Sequence, residues 1–331
     1  MRLNPAITLA FALLLLLQGG SVVAQSDAGV ADAYPARPVR IVVPVAPGGI
    51  LDIHGRLFSQ KFAEQFGQQF IVDNRAGGGS LIGFLHVARA APDGYTLLYT
   101  STTITVLPAF LDKPEYDPIE DFAPLSLLTK GSYMVIVHPS VPAKSMAELI
   151  AYARSKPGVL NWGLTGLGTP HHLGAAWIMN DAKIKMTLVP YKGGGPMQID
   201  LLSGQLQASF ATLVSALPYV KSGKLRVVGV TSTERFKVLP DVPTIAESGV
   251  PGFDVSTWHG MFAPRGTPDT IGRRINATLV RFIRSPDVLA KLAADGLEPV
   301  ASTASEFRDF IAIEVPRWRK LVKDTGARLE Q

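Results

Sequence analysis

Five short segments place glycine, serine or threonine where an apolar run gives way to an amphipathic one. They are Pro47-Gly48-Gly49, Gly77-Gly78-Gly79-Ser80, Thr100-Ser101-Thr102, Thr165-Gly166-Leu167-Gly168-Thr169 and Lys192-Gly193-Gly194-Gly195-Pro196. Small residues at a helix start leave backbone N–H groups open, and the helix dipole adds partial positive charge there. Such turns bind phosphate or carboxylate groups. Each alone is ordinary turn chemistry; five in succession point to a shared anion-binding cleft.

Nucleotide and catalytic chemistries need more than this. Gly77, Gly79 and Gly83 have nearly the spacing of a dinucleotide-binding turn, but the next strand ends Tyr99-Thr100-Ser101-Thr102, without the acid that would hold a ribose. No Gly-Lys-Ser or Gly-Lys-Thr occurs, which excludes a phosphate-gripping P-loop. Ser80, Ser101 and Ser215 lack the Gly-x-Ser-x-Gly setting of a hydrolase nucleophile. His171 and His172 are adjacent, so on a helix they diverge rather than converge on a metal, and one inward polar histidine is expected. Asp52 could serve as a catalytic carboxylate, but its place before an amphipathic run reads better as a structural N-cap. No catalytic residue, metal or cofactor is expected; a secreted hydrolase or a sensory binding protein acting on a small carboxylate stands as the alternative reading.

Composition narrows the class further. The chain has 331 residues, a formal net charge of +5 and no cysteine. Disulfides, thiol nucleophiles and cysteine-bound metals are therefore excluded. Charges of both signs are interspersed, so nucleic acid is not an expected partner. Residues 1–24 read as a secretory signal, with Arg2, an apolar stretch from Ala6 to Leu17, and small Ala24 as the cleavage point. That stretch is too short to span a bilayer comfortably. An exported chain without disulfides suggests a bacterial periplasm.

Strand-like and helix-like runs must position the five turns. Val39 to Val45 reads as a strand, followed from Asp52 by Leu57, Phe58, Phe62 and Phe66 at helical spacing until Gly67. Phe70 to Asp73 and Tyr95 to Thr100 read as strands, with a helix over Ser80 to Ala91 between them. A second block begins at Tyr133 to Val137. Its first helix carries a capping box, Ser145 with Glu148, and further strands follow at 160–162, 186–189, 206–210 and 225–230. Strands alternating with helices predict parallel βαβ units in two α/β lobes. The tail from Pro268 is helical, with a second capping box at Thr303 and Glu306, and the helix-poor first lobe is its expected host. No internal repeat or low-complexity segment occurs.

The chain resembles the solute-binding proteins of tripartite tricarboxylate transporters, the Bug family, over essentially all of its mature length. The resemblance rests on Tyr34-Pro35-Ala36-Arg37-Pro38-Val39-Arg40, Ala46-Pro47-Gly48-Gly49 with Asp52, Asn74-Arg75-Ala76-Gly77, Pro92-Asp93-Gly94-Tyr95-Thr96-Leu97 and Tyr116-Asp117-Pro118 with Asp121-Phe122. It continues through Gly166-Leu167-Gly168-Thr169 with His172-Leu173, Val189-Pro190-Tyr191-Lys192-Gly193, Ser215-Ala216-Leu217-Pro218 and Leu239-Pro240-Asp241-Val242-Pro243-Thr244. It implies a type II periplasmic-binding-protein fold: two α/β lobes joined by a two-strand hinge around a ligand cleft. The corresponding segments are a signal peptide (1–24), a linker (25–37), lobe 1 (38–137 and 257–331) and lobe 2 (138–256).

A monomer is expected, closing over a small organic carboxylate and delivering it to the large and small subunits of an ion-gradient-driven permease. Carried onto this chain, the resemblance selects Gly48, Gly49, Ile50, Gly79, Ser80, Ser101 and Thr102 from lobe 1, with Thr165, Gly168, Thr169, His172 and Thr212 from lobe 2, as ligand-binding residues. Ile50, Leu51, Leu81 and Leu167 stand where family members often carry small or polar side chains. Ala211-Thr212 replaces a turn that often carries Asp. Those departures point to a carboxylate with an apolar or aromatic body, because polar groups on a citrate or aspartate would be stranded there.

Overall fold

The first strand-like run shows how the elements arise. In the computed structural model, which describes residues 34–236 and 238–329, β1 (Val39–Val43) buries every residue but Arg40. A near-continuous β-branched run suits a parallel strand covered by helices on both faces. Helix α1 (Ile50–Phe66) packs on it through Leu51, His54, Phe58 and Phe62, spaced at helical intervals. Gly55 permits the approach, since a Cβ there would lie 2.9 Å from Val43 Cγ2. Gly67 ends the helix in the left-handed conformation, φ 66°.

The chain continues through β2 (Phe70–Asn74), α2 (Leu81–Ala88), β3 (Thr96–Ser101), the single turn α3 (Thr103–Val106) and β4 (Phe122–Ser132). Then come β5 (Met134–Val137), α4 (Met146–Ser155), β6 (Asn161–Leu164), α5 (Pro170–Ala182), β7 (Thr187–Pro190), α6 (Gly194–Leu202), β8 (Ala208–Ala211), α7 (Leu213–Lys221) and β9 (Arg226–Val230). The last stretch is β10 (Ser256–Pro264), α8 (Asp269–Ile283), α9 (Pro286–Ala294), β11 (Leu297–Pro299) and α10 (Ala304–Thr325). Among the described residues no helix is long and apolar enough to cross a membrane. The signal peptide and most of the linker expected from the sequence lie outside the described residues.

Two sheets form, with strand orders β11-β4-β10-β3-β1-β2 and β7-β6-β8-β5-β9. Each contains a parallel trio, β2-β1-β3 or β7-β6-β8, then one strand running against its neighbours, β10 or β5. That reversed strand is the one the chain enters directly after crossing from the other sheet. The molecule therefore has the two α/β lobes and two-strand hinge of a type II binding-protein fold. The crossings are tied together at mid-hinge: Thr231 N–H donates to the Tyr133 carbonyl at 2.9 Å, and Tyr133 N–H to Thr231 Oγ1 at 2.8 Å.

The sequence boundary at residue 137 differs from this. All four residues of β5 are buried in the second sheet, so the chain changes sheet at Tyr133. Strands β4 and β10 are also absent from the sequence reading. Pro124, Ser126, Thr129 and Lys130 break the apolar pattern of β4, and the β4–β10 pairing shifts register twice. The C-terminal helices return to the first sheet, where Phe307, Ile311 and Val315 of α10 pack with Val42, Leu98 and Trp258. Both halves of the Thr303–Glu306 capping box are formed.

Candidate ligand-binding cleft

Parallel strands deliver their following loops to one edge of a sheet, and here both lobes turn that edge inward. Between them lies a cavity of about 330 Å³. From the first lobe it is lined by Gly48, Gly49, Ile50, Leu51, Ser80, Ser101 and Thr103, and from the second by Thr165, Thr169, Pro170, His171, Gly193, Gly194, Met197, Phe210, Thr212 and Ser215. Tyr133 and Thr257 at the crossings, with His259 of β10, complete the hinge end. No Lys, Arg, Asp or Glu is among the lining residues.

Besides α2, whose N-cap Ser80 lines it, and the single turn α3 at Thr103, four helices start at this cavity. For α1 the N-cap is Gly49, for α6 Gly193 and for α7 Thr212, and none of these makes a side-chain cap bond. Their first-turn N–H groups have no intrahelical acceptor, so three open positive ends face the space. The fourth, α5, is largely closed: Pro170 brings no N–H, and Thr169 Oγ1 accepts the His172 N–H at 3.3 Å.

Asp52 plays a different part from the N-cap expected of it. Helix α1 begins two residues before it, so its carboxylate is in the first turn and reaches back to accept the Gly48 N–H at 3.0 Å. Arg56 holds that carboxylate from the other side, with Nη2 2.9 Å from Oδ1, and also reaches Asn74, whose amide donates to the Val45 carbonyl at 3.1 Å. Burial opposes its ionisation, but the hydrogen bonds from Arg56, Gly48 and Asn74 outweigh burial and hold the carboxyl below the usual range. Gly48, at φ 91°, thus spends its N–H on the loop; Gly49, Ile50 and Leu51 offer theirs to the cavity.

Eight expected site residues line the cavity: Gly48, Gly49, Ile50, Ser80, Ser101, Thr165, Thr169 and Thr212. Four do not. Thr102 is fully buried and accepts the Trp258 N–H at 2.9 Å, stapling β3 to β10. Gly79 and Gly168 lie on the seam between lobes, where a Cβ would come within 2.1 Å of the Leu167 carbonyl and 2.2 Å of Leu107 Cδ1 respectively. His172 turns away, accepting the Gly168 N–H at 3.2 Å and stacking on Phe110 of the first lobe, centroids 4.9 Å apart. Its neighbour His171 faces the cavity instead, because adjacent helical residues diverge by about 100°. Of the four apolar departures, Ile50 and Leu51 line the cavity, whereas Leu81 and Leu167 pack against their own lobes' cores.

The seam also includes Gly194 and Gly195. A Cβ on Gly195 would meet the Pro47 carbonyl at 2.5 Å, and Ala46 N–H donates to the Lys192 carbonyl at 2.8 Å across the lobes. The structure is therefore the closed form, sealed largely by backbone against backbone.

Sequence reasoning missed the hinge end: Tyr133, His171, Thr257 and His259. The one available signal was topological, since strands that cross between lobes must border the cleft. Burial pushes His171 and His259 down to about 3, with nearby His54 adding to the effect at His259, so both are neutral at pH 7. Burial raises Tyr133 to about 12. Ser215 shares its hydroxyl with Thr212 at 3.0 Å, not with a histidine. The His54–Asp295 pair, 2.6 Å apart, lies behind the wall, where Lys291 also holds Asp295. No three-residue group of His, Asp or Glu that could hold a metal occurs among the described residues.

Comparison with known proteins agrees with this geometry. The family model described as "Tripartite tricarboxylate transporter family receptor" matches residues 55–327. Protein BugT of Bordetella pertussis is 35% identical over 302 residues, 91% of this chain and 93% of that protein. Among solved structures, R. palustris Rpa4515 with adipate has TM-score 0.85 and 34% identity, covering 89% of this chain and 99% of the other. MatC from Rhodopseudomonas palustris with bound malate has TM-score 0.83 and 33% identity, covering 87% and 100%.

Proposed function

This chain belongs to the tripartite tricarboxylate transporter family of receptors, and from that membership we propose that it captures a small organic carboxylate by hinge closure and hands it on unconverted. The observation that carries the reading is the closed cavity of about 330 Å³ with three open helix N-termini and no ionised side chain on its walls. Backbone dipoles and hydroxyls bind an anion without a fixed counter-ion, and contacts available only in the closed form make the ligand favour closure. Gly49, Ile50, Ser80, Ser101, Thr165, Thr169 and Thr212 are the residues proposed to meet it. Ile50, Leu51, Met197 and Phe210 support a ligand with an apolar or aromatic body.

The recipients are the large and small membrane subunits of an ion-gradient-driven transporter, and the receptor works as a periplasmic monomer after its leader is cut near Ala24. Its lobes are proposed to divide at Tyr133 and between β9 and β10. The test is ligand-induced melting of the mature protein with a panel of carboxylates, among them adipate, malate, benzoate and citrate. A ligand at 100 times its Kd adds about 2.7 kcal/mol of stability. Stabilisation by adipate or benzoate above citrate is the expected outcome; stabilisation by citrate alone would refute the apolar body, and turnover of a carboxylic ester would refute the receptor role.

A further inference from the structure

The two ends of the cavity differ in kind. At the seam, Gly49 of α1 stands against Gly194 of α6, and the open N-termini of those helices converge. At the hinge stand Tyr133, His171, Thr257 and His259, exposed by only 6%, 5%, 2% and 1%. Part of their hydrogen-bonding capacity is unspent, although His259 Nδ1 is already paired with Thr129 Oγ1 at 2.9 Å. His171 Nδ1 has no partner, and its ring is packed edge-on against Tyr133 and Phe210 at 4.7 and 5.6 Å. Thr257 Oγ1 has at most the Tyr133 hydroxyl as a partner. Buried polar groups are nearly always paired, so this end lacks a partner that the ligand can bring.

We propose that the hinge end is a second subsite for an uncharged hydroxyl at the far end of the ligand, so that this receptor prefers an apolar-bodied hydroxy acid to the matching dicarboxylate. This rests on the carboxylate-receptor reading above. A hydroxyl both donates and accepts, which matches neutral imidazole, threonine and tyrosine. A second carboxylate finds no cation there: the lining residues include no Lys or Arg. Helix α5 does not substitute for one, with Pro170 lacking an N–H and the His172 N–H taken by Thr169, and the open end of α7, set beside Tyr133 by the Met134–Ala211 pairing, brings partial rather than full positive charge. An ion without pairing in a water-excluded space is strongly disfavoured. Protonating His171 to pair it would work against burial that leaves the ring neutral at pH 7.

The test is isothermal titration of the mature chain with two matched series: benzoate, 4-hydroxybenzoate and terephthalate, then hexanoate, 6-hydroxyhexanoate and adipate. In at least one series the hydroxy acid is expected to bind about ten-fold or more tighter than both companions. Tightest binding by the diacid in both series, or equal binding of hydroxy and parent acids in both, would overturn the subsite. Binding of none of the six would instead sink the carboxylate reading itself. His171→Phe and Thr257→Val are each expected to bring the hydroxy-to-parent affinity ratio close to one. An undiminished ratio in a folded variant, judged by circular dichroism, would remove these residues from the assignment.

Discussion

The two lobes repeat one strand order but fix their ligand-facing loops by opposite chemistries. In the first lobe the loop after β1 is held by charge: Asp52 takes the Gly48 N–H and is itself held by Arg56, which reaches on to Asn74. In the second, the loop after β6 is held by neutral groups. Thr169 donates to the Gly166 carbonyl at 2.7 Å and caps α5, while His172 receives the Gly168 N–H. Ionised groups near a site add long-range field, whereas neutral caps fix geometry and leave the field to helix termini. The charged network stays behind the wall in one lobe, and the other needs none, so the cavity keeps a purely dipolar lining.

That contrast can be broken at four points. The largest effect expected is from the buried histidines, two in the second lobe and one in the first. His171, His172 and His259 are depressed to about 3, 4 and 3, chiefly by burial. The unfolded chain therefore binds more protons. Stability is fully present above about pH 6.5 and is lost as pH falls toward those folded values, by on the order of 3 kcal/mol per histidine at pH 4. Denaturant unfolding between pH 7.5 and 4 should show this slope, reduced by about one proton in His172→Gln; a flat profile would contradict it.

Closure comes next. Gly195 sits in the first turn of α6 without a positive φ, so alanine suits its helix and clashes only with the Pro47 carbonyl of the other lobe. Gly195→Ala should leave unliganded melting unchanged or slightly raised while weakening carboxylate binding at least ten-fold, an effect read by calorimetry.

The two loops can then be compared directly. Asp52→Asn should cost about 1–2 kcal/mol at neutral pH. Because the Asp52 carboxyl is held below its ordinary value, that contribution is present above about pH 4 and fades as pH falls through the lower folded value. Thr169→Ala should cost about 1 kcal/mol by loss of the cap. Its penalty should not share the Asp52 pH dependence, and equal pH profiles for the two variants would erase the distinction between the lobes.

Much of this molecule was legible in its residues. Continuous runs such as Val39 to Val43, small-residue turns and capping boxes mark local preferences that tertiary packing leaves intact. Strands β4 and β10 were hidden, because Pro124 and polar residues interrupt a bulged pairing that no alternation betrays: Thr129 bonds His259 across the strands, and Ser126 reaches the Ser302 carbonyl. The cleft wall was half legible for the same reason. Turn glycines announce themselves, but whether Gly49 faces a cavity or Gly79 faces another backbone is decided by how the lobes close. The choice between His171 and His172 depended on where the helix begins, and a shift of one position would exchange their roles.

The backbone seam separates two jobs that a single set of side chains would otherwise have to share. Glycines and carbonyls at residues 46–49, 79, 166–168 and 192–195 meet regardless of what the hinge-end side chains are. Under the proposed receptor role, substitutions around Tyr133, His171, Thr257 and His259 would therefore retune what is carried while the shape proposed to meet a transporter stays the same. Such a receptor can change cargo without renegotiating its docking partner, and a library confined to those four positions is the economical place to look for new cargoes.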